Sequence, residues 1–159
     1  MAAPHEIRIA QVQAKPLAVI KGVAFAQNIG AKIGAALPLV FAKLKDLGVT
    51  GAGPAVVVYR PNPGDRWDVP PGVAIEVGVE LAAPLAAECQ SVVASSIPTC
   101  RAATALHVGP YQALPSTHAA IRDWCHANGH ALAGPNWEVY GDHHDDPAQL
   151  RTQVCYELQ

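Results

Sequence analysis

Four residues of this chain recur at one fixed distance. Gly48, Gly53, Pro54 and Tyr59 return 81 positions later as Gly129, Gly134, Pro135 and Tyr140, so G-x4-GP-x4-Y stands in both halves. That period exceeds the ~20–50 residues of a stacked solenoid repeat and predicts one supersecondary unit duplicated in tandem. The 159 residues then read as a single domain over 1–159, with pseudo-repeats at about 5–81 and 91–159. A duplicated scaffold carries its own control. Positions where the halves agree point to architecture, and positions where they differ point to function.

Half of the residues are hydrophobic and 15% are charged, which fits a packed globular core and excludes a disordered chain. A net charge of −2 with scattered basic residues gives no footprint for nucleic acid. No secretory pattern opens the chain, and no apolar run approaches the ~20 residues of a membrane span. Cys89, Cys100, Cys125 and Cys155 form no CxxC spacing, so they read as reduced structural thiols in a cytoplasmic protein.

Each half reads as strand, helix, strand, strand. Glu6–Val12 and Leu17–Val23 alternate as strands do. Ile29, Ile33, Leu37, Val40, Leu44 and Leu47 then form a helical stripe that ends at Gly48, with Pro38 inside it. Ala55–Arg60 is strand chemistry, Pro61–Gly72 is a loop, and Val73–Glu80 alternates again. In the second half the strand Arg101–Val108 precedes a stripe of Leu114, His118, Ile121, Trp124 and Cys125, which ends at Gly129. The strands Trp137–Tyr140 and Thr152–Leu158 follow. Leu81–Ser96 reads as the connector. The last strands align at an offset of 77, pairing Val77 with Val154.

Alternation puts Glu138 and Tyr140 on one sheet face, and Trp137 and Val139 on the face expected to pack against the helices. At the offset of 81 the tyrosines match, as Tyr59 and Tyr140, while Glu138 stands where the first half has Val57. A carboxylate between Trp, Val and Tyr is costly to bury without partners, which makes it a site candidate; the alternative is a solvated sheet face. Glu76 and Glu80 alternate with Ala74 and Gly78, and each taken alone reads as a residue of a solvated sheet face. If the two units join side by side, these acids and the two tyrosines line one concavity, suited to a flat, lipophilic or cationic ligand. Trp67 either folds over that groove or anchors its own loop, and His118 is expected at the core or groove edge, bonded to backbone.

Other clusters carry less. His143-His144-Asp145-Asp146 reads as a polar turn, because adjacent side chains diverge and no distant Cys/His pair completes a metal set. A Cys125–His118 couple fits by spacing, without a visible activator for the thiol. Neither a metal nor a cofactor is expected.

The run His107-Val108-Gly109-Pro110-Tyr111, then Gly134-Pro135-x-Trp137-Glu138-Val139-Tyr140 and Asp146-Pro147, resembles the GyrI-like effector-binding domain over nearly the whole chain. The resemblance implies an α+β fold of two antiparallel sheet–helix units, helices on one face, meeting at a central ligand groove. It further implies that Glu138 engages cationic or polar ligand atoms there, with Tyr111 and Tyr140 at aromatic positions. Regulators of that family carry a DNA-binding module, and no helix-turn-helix is apparent here. The expected function is binding of a small lipophilic, aromatic or cationic molecule through Glu138, Tyr140, Tyr111, Tyr59, Trp67, Glu76, Glu80 and His118. Stand-alone members that open strained, cyclopropane-bearing electrophiles imply an alternative, a hydrolase using Glu138 and Tyr140. A protein-binding module like the gyrase inhibitor is the third reading.

Overall fold

The computed structural model describes residues 5–88 and 91–159; Cys89 lies outside them. The elements follow in the order β1 (Arg8–Val12), β2 (Lys15–Ala24), α1 (Ile29–Asp46), β3 (Ala55–Arg60), β4 (Val73–Glu80), β5 (Val92–Ile97), β6 (Cys100–Val108), α2 (Leu114–Ala127), β7 (Leu132–Tyr140) and β8 (Arg151–Leu158). All eight strands join one antiparallel sheet in the order β1-β6-β8-β7-β3-β4-β2-β5. The fold is therefore α+β with a single large sheet, where the sequence suggested two. The expected connector also contains a strand. Val-Val-Ala-Ser-Ser-Ile of β5 pairs with β2, and two residues separate it from β6, so each half opens with two strands before its helix.

Local chemistry explains the elements. Gly48 and Gly129 follow the two helices at φ of +71° and +73°, the left-handed conformation that ends a helix at little cost to glycine. Pro38 is carried inside α1. His107 is buried with both ring nitrogens engaged, to Thr117 Oγ1 at 2.7 Å and to the Pro110 carbonyl at 2.9 Å. It thereby ties the end of β6 to the first turns of α2.

The strand order forces curvature. β1 and β2 occupy the first and seventh places of the sheet, yet only Gln13 and Ala14 separate them. Six flat interstrand steps would span ~29 Å, whereas the link reaches ~11 Å at most. The same holds for β5 and β6, joined by Pro98 and Thr99. The sheet must roll until its edges meet, and Ala14 N–H donates to Thr99 Oγ1 at 3.1 Å where the two links cross.

Rolling creates a core that no helix covers. Leu17, Val19, Val56, Val58, Ile97, Ala102, Trp137 and Cys155 pack together on the inner face. The helices cover the other face: α1 lies over Val57, Tyr59, Ile75 and Val77, and α2 over Ala103, Ala105, Val154 and Tyr156. This reverses the expected facing of β7. Trp137 points into the roll, and Glu138 and Tyr140 lie under the helices.

The central register fixes the site. β3 and β7 pair antiparallel with Val56 opposite Val139, Val57 opposite Glu138 and Val58 opposite Trp137. Since 138 − 57 = 81, the offset of the sequence repeat, Glu138 pairs directly with its own counterpart.

Trp137 is 2% exposed at the middle of the rolled core. Trp137→Ala should cost ~3–5 kcal/mol in denaturant unfolding. A loss below about 1 kcal/mol would show that the inner face is not a packed core.

Candidate functional site

Glu138 is 3% exposed, and both of its carboxylate oxygens are bonded. Tyr59 donates to Oε1 at 2.5 Å and Tyr140 donates to the same oxygen at 2.8 Å. His118 Nε2 lies 2.8 Å from Oε2. The backbone accounts for the convergence. Tyr59 and Tyr140 each lie two residues past the Val57–Glu138 pair, on strands running in opposite directions, so they flank it from both sides. His118 reaches down from α2.

Burial, the largest influence, pushes the Glu138 carboxyl upward. The hydrogen bond and electrostatic pull of His118, with the hydrogen bonds of Tyr59 and Tyr140, outweigh it and hold the group below the ordinary carboxylate range. Tyr59 and Tyr140 are pushed well above the usual phenol value, first by burial and then by the negative charge of Glu138. Near neutral pH the site is thus a buried anion held by hydrogen-bond donors, with both phenols protonated. The solvated-face alternative for Glu138 does not hold.

His118 does not bond to backbone, as expected of it, but to side chains. Its Nδ1 lies 2.7 Å from Tyr156 Oη, and Arg122 Nη1 donates to that oxygen at 3.0 Å. The chain Glu138–His118–Tyr156–Arg122 thus runs from the buried carboxylate to an exposed guanidinium. With both ring nitrogens occupied, His118 has none left for Cys125, whose thiol is pushed up by burial. The Cys125–His118 couple is therefore absent.

Aromatic rings cap the cluster. Trp67 meets Tyr59 edge-on at 5.3 Å, and its carbonyl accepts from Ala26 N–H. Tyr111 meets Tyr140 edge-on at 5.5 Å. Both outer rings are more than one-third exposed. Of the predicted residues, Glu138, Tyr59, Tyr140, Tyr111, Trp67 and His118 come together. Glu76 and Glu80 do not. They lie on the opposite sheet face from Glu138, because in β4 they alternate with Ile75 and Val77, which face α1. Glu76 is also spoken for. Arg60 Nε donates to it at 2.9 Å and Ser95 Oγ at 2.5 Å, tying β3, β4 and β5 together.

Tyr156 and Arg122 were not anticipated, although the offsets held the signal. At 77 Tyr156 stands against Val79, and at 81 His118 and Arg122 stand against Leu37 and Phe41, as Glu138 stands against Val57. Every member of the chain thus has an apolar counterpart in the first half. Two clefts of about 230 and 200 Å³ lie elsewhere. The larger, between α1 and the sheet, is walled by Ile20, Ala36, Leu39, Ile75 and Val77. Neither is lined by Glu138. The convergence of polar groups, rather than open volume, places the candidate site at Glu138. Among the described residues no His/Cys/Asp/Glu group is arranged to hold a metal, and no helix is long and apolar enough to cross a membrane.

A depressed carboxyl binds fewer protons folded than unfolded, so its stabilisation is complete above the unfolded value of 4.5 and is lost as pH falls through the lower folded value. In urea titrations at pH 7 and pH ~3, Glu138→Gln should lose less stability on acidification than the unsubstituted protein. Equal losses would place the charge outside the folded network.

The model of the GyrI-like small molecule binding domain matches residues 5–159. Similar solved structures include the EcmrR C-terminal domain, with a TM-score of 0.78 and 16% identity over 98% of each chain. SAV2435 bound to tetraphenylphosphonium gives a TM-score of 0.64 and 11% identity over 97% of this chain and 94% of that one. A hydrolase from Listeria innocua gives 0.61 and 11% over 99% and 94%. At these identities the structures establish likeness of fold. No curated protein matches the chain.

Proposed function

The chain belongs to the GyrI-like small-molecule-binding domain family, and on that premise we propose that it binds a lipophilic cation over Glu138. The observation that carries this reading is a buried carboxylate kept ionised by hydrogen-bond donors and enclosed by aromatic rings. Such an arrangement attracts positive charge through a low-dielectric path, and the faces of Tyr59, Tyr140, Tyr111 and Trp67 add cation–π contact. We propose that the ligand enters by displacing Trp67 and Tyr111, the exposed rings held to the cluster by edge contacts. The groove would then open between α1 and α2, across the junction of two pseudo-repeats at about 5–81 and 91–159. The element order β-β-α-β-β, met twice, and the pairing of Glu138 with Val57 support that division.

SAV2435, of similar fold, is bound to tetraphenylphosphonium, which makes that ion the natural first probe. Hydrolysis is the second reading, suggested by the hydrolase from Listeria innocua of similar fold. In it Glu138 would orient water, and Tyr140, kept protonated by burial, would donate to the developing anion.

Isothermal titration with tetraphenylphosphonium should show saturable binding, weakened at least ~10-fold by Glu138→Gln, with a neutral tetraphenyl analogue of the same shape much less affected. Equal loss for both would remove the charge role. Electrophilic natural products incubated with the protein and followed by mass spectrometry decide the second reading. Gain of one water, abolished by Glu138→Gln, establishes turnover, and recovery of intact compound excludes it for those tested.

A further inference from the structure

The halves differ in volume as well as in polarity. In the second half His107 of β6 and Thr117 of α2 fill the space between strand and helix, 3% and 0% exposed, with Nδ1 and Oγ1 2.7 Å apart. Gly22 pairs with Ile75 as His107 pairs with Thr152, and Ile75 and Thr152 correspond at the offset of 77. Gly22 therefore occupies the place of His107. At the offset of 81, Ala36 occupies the place of Thr117. An imidazole and a hydroxyl in one half are thus a hydrogen atom and a methyl in the other. The cleft of about 230 Å³ lies where they are missing, with Gly22 and Ala36 both in its wall. We propose that this cleft is a second binding site, separate from Glu138, for a small lipophilic anion of the medium-chain carboxylate class. It goes beyond the cation-binding reading and does not depend on it.

Nothing in the backbone demands the glycine. A Cβ built on Gly22 meets no heavy atom within 4 Å, and its φ lies outside the left-handed region. Glycine inside a strand weakens it, and what it gives here is open volume. The walls around that volume are apolar. Ile20, Ile75 and Val77 come from the sheet, and Leu39 of α1 stands over them 53% exposed.

Charge selects the head group. Lys21 and Lys32 are the charged residues of the lining, and no acid is among the described residues there. Lys21 Nζ lies 3.9 Å from Glu76, on the other sheet face. Lys32 makes no ion pair among the described residues. The remaining charges of α1 are Lys43, Lys45 and one acid, Asp46, at its far end. Apolar walls beside an unpaired ammonium suit a ligand with a hydrocarbon body and a negative end, the reverse of what the Glu138 cluster attracts. A cavity of ~150 Å³ takes benzene, so this cleft suits roughly nine carbon atoms. Octanoate is the matching probe.

Isothermal titration with octanoate should show saturable binding of one molecule per chain. Carbon-13 methyl spectra should show shifts at Ile20, Leu39, Ile75 and Val77 as octanoate is added. Gly22→His restores the side chain of the second half and should weaken octanoate at least ~10-fold, with the melting temperature kept. Gly22→Val serves if Gly22→His fails to fold. Lys32→Gln, at an exposed position, should weaken octanoate about threefold and leave neutral octan-1-ol unchanged. Absence of saturable octanoate binding overturns the proposal, as do methyl shifts centred away from those four residues. Undiminished binding in the folded Gly22 variant, or an equal response of octanoate and octan-1-ol to Lys32→Gln, overturns it too. If octanoate binds as expected and tetraphenylphosphonium does not bind at all, the cation-binding reading fails and this second site stands.

Discussion

A carboxylate in the interior is the constraint around which this protein is arranged. Burying Glu138 without partners would cost several kcal/mol and drive it to protonate. Three donors prevent that, two phenols on Oε1 and an imidazole on Oε2. They come from β3, β7 and α2, so the group stays ionised only when both halves of the chain are assembled. The sheet register makes this feasible, since pairing Val57 with Glu138 brings the two matching tyrosines to either side of a single acid.

That register depends in turn on the rolled sheet. Two-residue links between strands at opposite ends of the sheet order leave no flat solution. Curvature hides one face within the sheet, where Trp137 and the valines of β3 pack, and leaves the other to the helices. An acid at the position of Trp137 would instead sit among Leu17, Val19 and Val58 in the apolar core. On the helix face it meets His118 and the two tyrosines. The fold thus separates a dry structural core from a polar cluster, one on each side of the same strand.

Four polar differences between the halves gather in one place. Tyr59 and Tyr140 agree and serve as a symmetric pair of donors. Glu138, His118, Tyr156 and Arg122 replace Val57, Leu37, Val79 and Phe41 and form one continuous hydrogen-bonded chain. Three of the four are buried or half-buried, and each of those polar groups is satisfied by the next in the chain, which ends at the exposed Arg122.

The sequence by itself determined the strands around the repeat motif, both helices and their glycine ends, and the singular position of Glu138. These are local matters of period, turn chemistry and half-against-half comparison. It did not reveal β5, whose short Ala/Ser-rich run gives a weak alternation, nor which face of β7 meets the helices. Period-two alternation separates two faces without naming what covers each, so Trp137 was expected under the helices, and Glu76 and Glu80 beside the tyrosines. Only the tertiary structure decided those points. The closure of an eight-stranded sheet by two short links depends on strand order, and strand order is a long-range property that no window of sequence contains. Of the bonds that keep Glu138 charged, that of Tyr140 is local, while those of His118 and Tyr59 join residues 20 and 79 positions apart that meet only in the assembled fold.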